Sequence, residues 1–396
     1  MKILGNPFFI TGLLILITII VTGQNLLLEK DTFESGGIGY THYNNYLIFK
    51  QSFFHLIENM DLYQLYPNEH WDYFKYSPTF SLLIAPLAIL PDTFGLFIWN
   101  LLNVLVLFYA LWKLPFQSDK TRLFMIAFIL IELIESIQNS QSNGLIAGLI
   151  VFAFVFLEKK QSVLASLFIV MTIFIKLFGL VSIALLILYP DKLKLITYTI
   201  CWTLIFAILP LIVISIPQLS FLNYSWVNLL QQDHSISWGL SVAGLLHSWF
   251  GVEHRNVILI IGVGLFCLPF LKYKFFCELK FRLFFLSSIL IWIVIFNYKA
   301  EAPTFIIAIS GVIIWFVSQK IKTENVILLI TTFILTAFSA TDIFPNSVRA
   351  NYFEAYVLKA LPYILIWLKI IYDLTFYRSE NDIVHDTLPN VLTVSN

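Results

Sequence analysis

The chain has 396 residues, 59% of them hydrophobic and 12% charged, with as many Lys and Arg as Asp and Glu. A mean hydropathy of +0.84 leaves too little polar surface to cover a water-soluble globule of this size, so the class is an integral membrane protein. The balanced charge, with basic residues in short clusters between apolar runs, provides no face for nucleic acid.

In chain order, the first apolar run extends from Pro7 to about Leu27. It has the roughly twenty residues a membrane helix needs, and no small-x-small cleavage site follows it, so it reads as an uncleaved first helix. Lys2 ahead of it puts the N-terminus in the cytoplasm and the first long loop, about 28–76, outside. Within that loop, residues 44–60 set Leu47, Ile48, Phe53, Phe54, Leu56 and Ile57 among polar neighbours, which predicts a short amphipathic helix on the membrane surface. Tyr63, Tyr66, Trp71, Tyr73 and Tyr76 follow, rings of the kind enriched at headgroup depth. Interleaved with them are His42, Asn45, Glu58, Asp61, Asp72 and Lys75, more ionisable and amide groups than a plain connecting loop requires.

The next apolar piece, Pro78 to Leu90, falls short of the roughly twenty residues of a crossing and reads as re-entrant or surface-lying. Beyond it, basic clusters at Lys113/Lys120/Arg122, Lys159/Lys160, Lys192/Lys194, Lys272 to Arg282, Lys320/Lys322 and Arg378 alternate with other connections near 138–143, Lys176, 217–240, 297–303 and 339–352. Placing the clusters in the cytoplasm gives about twelve crossings. A rival scheme makes 162–189 one long helix and lets 78–90 cross, but it exports Lys113, Lys120, Arg122, Lys159 and Lys160. The whole of 1–378 is read as a single polytopic domain, and the polar tail 379–396 as disordered.

Several outward connections carry chemistry. LIELIESIQNSQSNG places Glu132, Glu135 and Gln138 on one helical face. Lys176 sits amid apolar sequence, where a cation needs a phosphate, a carboxylate or the headgroup layer. QQDHSISWG adds Asp233, His234 and Trp238, NYKAEAP adds Lys299 and Glu301, and TDIFPNSVR adds Asp342 and Arg349. One site assembled from several loops on the outer face accounts for this distribution. Cys201, Cys267 and Cys277 have neither metal-type nor paired spacing and are read as small core residues. There is no GxxxxGK[ST], HExxH or GxSxG motif, and no cytoplasmic domain that would hold a nucleotide sugar, so an outward-facing enzyme would draw on a lipid-carried donor.

The order YFKYSPTFSLLIAPLAILP, WNLLNVLVL, QNSQSNGLIAGLIVFAF and then Lys176, over roughly residues 30–370, resembles glycosyltransferase family 87. The resemblance rests on Tyr76-Ser77-Pro78 and Gln141-Ser142-Asn143. It implies an all-α polytopic GT-C-like helical bundle in the inner or plasma membrane, with its active site facing outward. The implied reaction is transfer of mannose or a related hexose from a polyprenyl-phosphate donor to a glycan or lipid acceptor, with no cofactor. No tight DxD pair in the first loop calls for a metal.

The resemblance also implies a catalytic Asp in the first outer loop, and the matching position here is Asn45. An amide cannot accept a proton near neutral pH, so Asn45 is a hydroxyl-binding candidate and the base falls to His42, Glu58, Asp61 or Asp72. Donor-phosphate and substrate contacts fall to Lys75, Tyr76, Gln141, Asn143, Lys176, His234, Lys299, Glu301 and Arg349. The alternatives are a transporter or flippase for a lipid-linked sugar, with Glu132, Glu135 and Lys176 lining its path, and a relative that kept the fold but lost the base.

Overall fold

A hydrophobic chain that crosses a bilayer must satisfy its backbone inside each crossing, and helices do this without partners. The computed structural model describes residues 6–32, 37–232, 237–337, 339 and 344–379, and these form helices joined by turns, with no strand among them. The helices are α1 (Pro7–Leu27), α2 (Asn44–Ile57), α3 (Pro78–Leu83), α4 (Ala85–Ala88), α5 (Asp92–Trp112), α6 (Asp119–Gln138), α7 (Asn143–Glu158) and α8 (Ser162–Ile175). A 3₁₀ helix, Leu177–Leu188, follows. The second half contains α9 (Lys192–Ile208), α10 (Ile216–Gln232), α11 (Val242–Phe250), α12 (Arg255–Cys267), α13 (Leu279–Ile295), α14 (Phe305–Val317), α15 (Thr323–Ala337), α16 (Asn346–Val348) and α17 (Leu361–Thr375).

Four helical stretches are long and apolar enough to cross a membrane on their own: Pro7–Leu27, Asp92–Trp112, Lys192–Ile212 and Arg255–Phe275. Their outer surfaces expose large apolar side chains such as Phe8, Ile212 and Ile260, a belt that only lipid would cover. The chain is an all-α polytopic membrane protein.

The passes run between two ends. At one, which we call the loop end, Asn25 after most of α1 donates to Gln138 O at the end of α6 (2.9 Å), and Lys50 of α2 pairs with Asp92 at the start of α5 (2.5 Å). At the other, the basic end, Glu158 closes α7 and binds Arg282 of α13 (2.6 Å) and Tyr189 (2.5 Å). Lys369 of α17 likewise meets Glu324 of α15 there (3.2 Å).

Two expectations about topology are met at these contacts. The segment 78–90 starts and finishes at the loop end: Ser77 Oγ donates to Phe174 O and Lys50 Nζ donates to Leu90 O, so α3 and α4 do not carry the chain across to the other end. Residues 162–188 form a hairpin, not one long helix. The backbone leaves the helical region at Lys176 (φ −137°, ψ 122°), and the 3₁₀ helix runs back along α8, with Gly179 so close that a Cβ would lie 2.5 Å from Thr172 Oγ1. At about 2 Å rise per residue, twelve 3₁₀ residues span about 24 Å, enough to pair with the roughly 21 Å of the fourteen-residue α8.

The centre consists of α13 and α14, apolar all round and almost wholly buried, with Trp315, Trp367 and Phe305 among the largest enclosed side chains. Lipid offers little hydrophobic drive between helices, so close approach through small residues carries the packing. A Cβ on Gly148 of α7 would lie 2.7 Å from Leu107 N and 2.8 Å from Val106 C in α5. One expectation is corrected: Cys201, Cys267 and Cys277 are exposed rather than core residues. Cys201 and Cys267 lie on α9 and α12, which pack few of their residues inward, and a small apolar thiol suits a lipid-facing surface as well as a core. The residues of the tail from 380 onward, Lys2, Asp233, His234 and Asp342 lie outside the described residues.

Gly148→Val should force α5 and α7 apart and cost about 1–3 kcal/mol, the usual range for overpacking. The readout is a lower midpoint of thermal unfolding in detergent; an unchanged midpoint would mean that the α5–α7 contact is not tight.

Candidate active site

The site forms where α6 turns into α7. Ser140 takes a left-handed backbone (φ 50°), and the turn is held from beneath by Trp99 Nε1 donating to Ser140 O (2.8 Å). Asn103 Oδ1 accepts from Leu145 N (2.9 Å), fixing the first turn of α7 against α5. The amides of Gln141 and Asn143 are thereby pointed at the neighbouring segments.

Lys176 Nζ, at the apex of the α8 hairpin, donates to Asn143 Oδ1 (2.8 Å); Asn143 Nδ2 donates to Gln141 Oε1 (2.6 Å) and to Pro303 O (3.0 Å); and Gln141 Nε2 donates to Glu301 Oε2 (2.8 Å). The direction is set by the ends, since an ammonium only donates and a carboxylate only accepts. The result is a polarised relay with a cation at one end, an anion at the other and two oriented amides between, each bond strengthening the next. Glu301 also caps the 3₁₀ turn Ala302–Thr304 by accepting from its backbone. Lys176 uses one of its three N–H donors in a hydrogen bond among the described residues.

The long loop roofs this relay. Lys176 Nζ lies over the rings of Tyr76 (5.7 Å) and Phe178 (5.4 Å). Tyr63 Oη donates to Tyr76 O (3.0 Å), and Ser77 caps α3 through Phe80 N (3.2 Å) with Pro78 in the first helical position. Asp72, in a left-handed backbone (φ 75°), binds Lys75 Nζ (2.9 Å), and Trp226 of α10 donates to Lys75 O (3.2 Å). Burial raises the Tyr76 phenol well above its ordinary pKa against an opposing pull from the nearby Ser142 hydroxyl, and Glu301 and Asp72 push it further. Both carboxylates therefore act on the same ring, which stays a neutral donor.

Lys75, Tyr76, Gln141, Asn143, Lys176 and Glu301 thus come together from four separate stretches of sequence. Lys299 lies two residues before Glu301 in the turn whose Ala300 N donates to Asn297 O (2.9 Å), and Arg349 opens the π-helical turn Arg349–Glu354. Asn45 donates to Asn139 O (2.9 Å), on the turn that carries Gln141. The other first-loop candidates have local partners. His42 Nε2 faces Glu29 O (2.8 Å) and Asp31 (3.4 Å). Glu58 is the C-terminal cap residue of α2. Asp61 accepts from Ser225 Oγ of α10 (2.8 and 2.9 Å) and from Tyr63 N (3.1 Å), tying loop to helix. Tyr63 is enclosed, and Trp71 packs on Tyr40 (ring centroids 5.8 Å apart), so both brace the loop.

Sequence reasoning missed Lys359. It is buried beside Glu132 (3.2 Å) and Glu135 (2.7 Å), and it is the partner those two acids require. The only sequence signal was a lone cation beside an apolar run. Also unforeseen is the contact of buried His55 with exposed Glu69 (2.9 Å), with Tyr66 packed at a tilt on His55 (ring centroids 4.0 Å apart) and His70 enclosed nearby. Among the described residues no group of three His, Cys, Asp or Glu side chains stands close enough to hold a metal.

The family model for Glycosyltransferase family 87 matches residues 74–318, more than half of the chain, which therefore belongs to that family. The match begins inside the roof and takes in Lys75, Tyr76, the relay and Glu301. No curated protein matches the chain.

Burial and the neighbouring His55 lower the pKa of His70 from its ordinary value, against weaker opposing pulls from Glu69 and Asp72. The folded loop therefore disfavours protonated His70. Its contribution to stability is complete above about pH 6.5 and is lost as pH falls toward the depressed folded value. Hydrogen exchange of residues 61–77, corrected for intrinsic rate, should be faster at pH 5.5 than at pH 7.5, and His70→Gln should flatten that difference. An equal difference in the variant would assign the effect to another group.

Proposed function

Because the chain is a family 87 glycosyltransferase, we propose that it moves a hexosyl group, mannosyl by family precedent, from a polyprenyl-phosphate donor to a glycan or lipid acceptor at the loop end. We take the basic end to be cytoplasmic by the positive-inside rule, so the site faces outward. The observation that carries this reading is Lys176: a half-buried cation at the loop end, ligated by a neutral amide, with two N–H donors left for phosphate oxygens. Exposed Leu177 and Leu180 beside it offer apolar surface to the first isoprene units of a carrier.

In the proposed step, Glu301 accepts the proton of an acceptor hydroxyl as that oxygen forms its bond to the anomeric carbon. The bond from that carbon to the phosphate oxygen breaks, and the phosphate leaves with the electron pair, its charge held by Lys176 with Lys75 nearby. Attack opposite the leaving group inverts the anomeric centre. Glu301 is preferred over Asp72 because Asp72 is engaged in an ion pair with Lys75, whereas Glu301 is exposed and accepts from a neutral amide. Asn45 binds through its N–H to a backbone carbonyl and has no part in proton transfer. Gln141 and Asn143 keep Glu301 and Lys176 at a fixed separation.

The test is transfer of label from radiolabelled polyprenyl-phosphate-mannose to a pool of glycan and lipid acceptors, with the full-length protein in nanodiscs. Lys176→Met and Glu301→Gln should each lower the rate about a hundredfold or more. Asp72→Asn should cost less, and Asn45→Asp should bring no gain. Full activity in Glu301→Gln with loss in Asp72→Asn would move the base to the roof. Donor binding or flipping without transfer by the wild type would contradict the enzyme reading.

A further inference from the structure

At the basic end, remote from the relay, the end of α7, the starts of α8 and α9, the end of the 3₁₀ helix and the turn before α13 line a cavity of about 650 Å³. Its charged lining comprises Lys160, Lys192, Lys274 and Arg282 against Glu158 and Asp191. Glu158 is already answered: Arg282 grips it with two nitrogens (2.6 and 2.8 Å), Tyr189 Oη donates to it (2.5 Å), and a further Arg282 nitrogen donates to Phe276 O (2.9 Å). This neutral, well-fixed set forms one wall. No ion pair among the described residues engages Lys160, Lys192 or Lys274, so three lysines line the space with Asp191 as the remaining anion.

The rest of the lining is apolar, from Leu157, Ile187, Leu188 and Leu195, and it continues onto the lipid-facing side through exposed Ile187, Leu193 and Ile196. A cationic rim over an apolar wall, at the depth where the membrane helices end, matches an amphiphile with a phosphate head and hydrocarbon tails. A soluble phosphate ester would gain nothing from the apolar half.

We propose that this cavity binds an anionic phospholipid, its phosphate held by Lys160, Lys192 and Lys274 and its acyl chains lying against Leu157, Ile187 and Leu195. The site is separate from the glycosyl-transfer site, and the proposal does not depend on which sugar is moved.

Native mass spectrometry of the full-length protein tests this, counting lipid retained after equilibration with phosphatidylglycerol, with phosphatidylcholine, or with phosphatidylglycerol plus glycerol 3-phosphate. The wild type should retain phosphatidylglycerol in preference to phosphatidylcholine, and glycerol 3-phosphate at equal concentration should not displace it. Replacing all three lysines by Gln should weaken retention about fivefold per lysine, while replacing them by Arg should preserve it. An equal thermal midpoint in phosphatidylcholine would show that the Gln variant is folded. If it does not fold, Lys192→Gln alone carries the comparison, with about a fivefold loss expected. Retention unchanged in the Gln variant, equal retention of phosphatidylcholine, or displacement by glycerol 3-phosphate would each overturn the proposal, the last by making the ligand a soluble phosphate ester.

Discussion

A lysine ammonium half-buried where apolar helices meet has to be answered by polar groups, and the loop end of this protein is organised around how Lys176 is answered. Its ligand, Asn143, begins α7; Asn143 in turn orients Gln141, and Gln141 orients Glu301 some 160 residues away in sequence. An amide at position 143 satisfies the geometry of the ammonium without cancelling its charge. A carboxylate there would make an ion pair and leave little positive field for a phosphate. The anion stands instead at the far end of the relay, where burial does not neutralise it.

This arrangement explains features that otherwise look unrelated. The α8 hairpin breaks at Lys176, so the cation is delivered to the loop end from a pass that starts and finishes at the basic end. The α6–α7 turn is pinned by Trp99 and Asn103 because a small shift there would break both amide contacts. The roof is tied down at Asp61 by Ser225 and at Lys75 by Trp226, so α10 holds the loop over the relay. Ion pairs elsewhere serve the packing: Glu158 with Arg282 at the basic end, and Lys359 with Glu132 and Glu135 between α6 and the approach to α17.

Much of this was legible from residue types and order. The lysine clusters marked one set of helix ends, which was enough to resolve 162–188 into two passes and to keep 78–90 at one end. Lys176, Gln141, Asn143, Tyr76 and Glu301 were nameable because each is a polar group in or beside apolar sequence. Their connection was not legible, since hydrogen bonds such as Gln141–Glu301 depend on which helix ends meet. The same limit hid Lys359, 224 residues from Glu135. The proposed base was obscured for a different reason: the family resemblance pointed to the first loop, where Asp61 is engaged in fixing the roof, whereas Glu301 lies in a short turn of the second half.

The central claim is that the donor phosphate binds at Lys176 beneath the roof. Photo-crosslinking with a diazirine-bearing polyprenyl-phosphate sugar, read by peptide mass spectrometry on the full-length protein in nanodiscs, addresses it directly. The account predicts adducts within 72–78, 141–143 and 176–180, reduced in Lys176→Met. Adducts confined to the basic end, or unchanged in that variant, would contradict it.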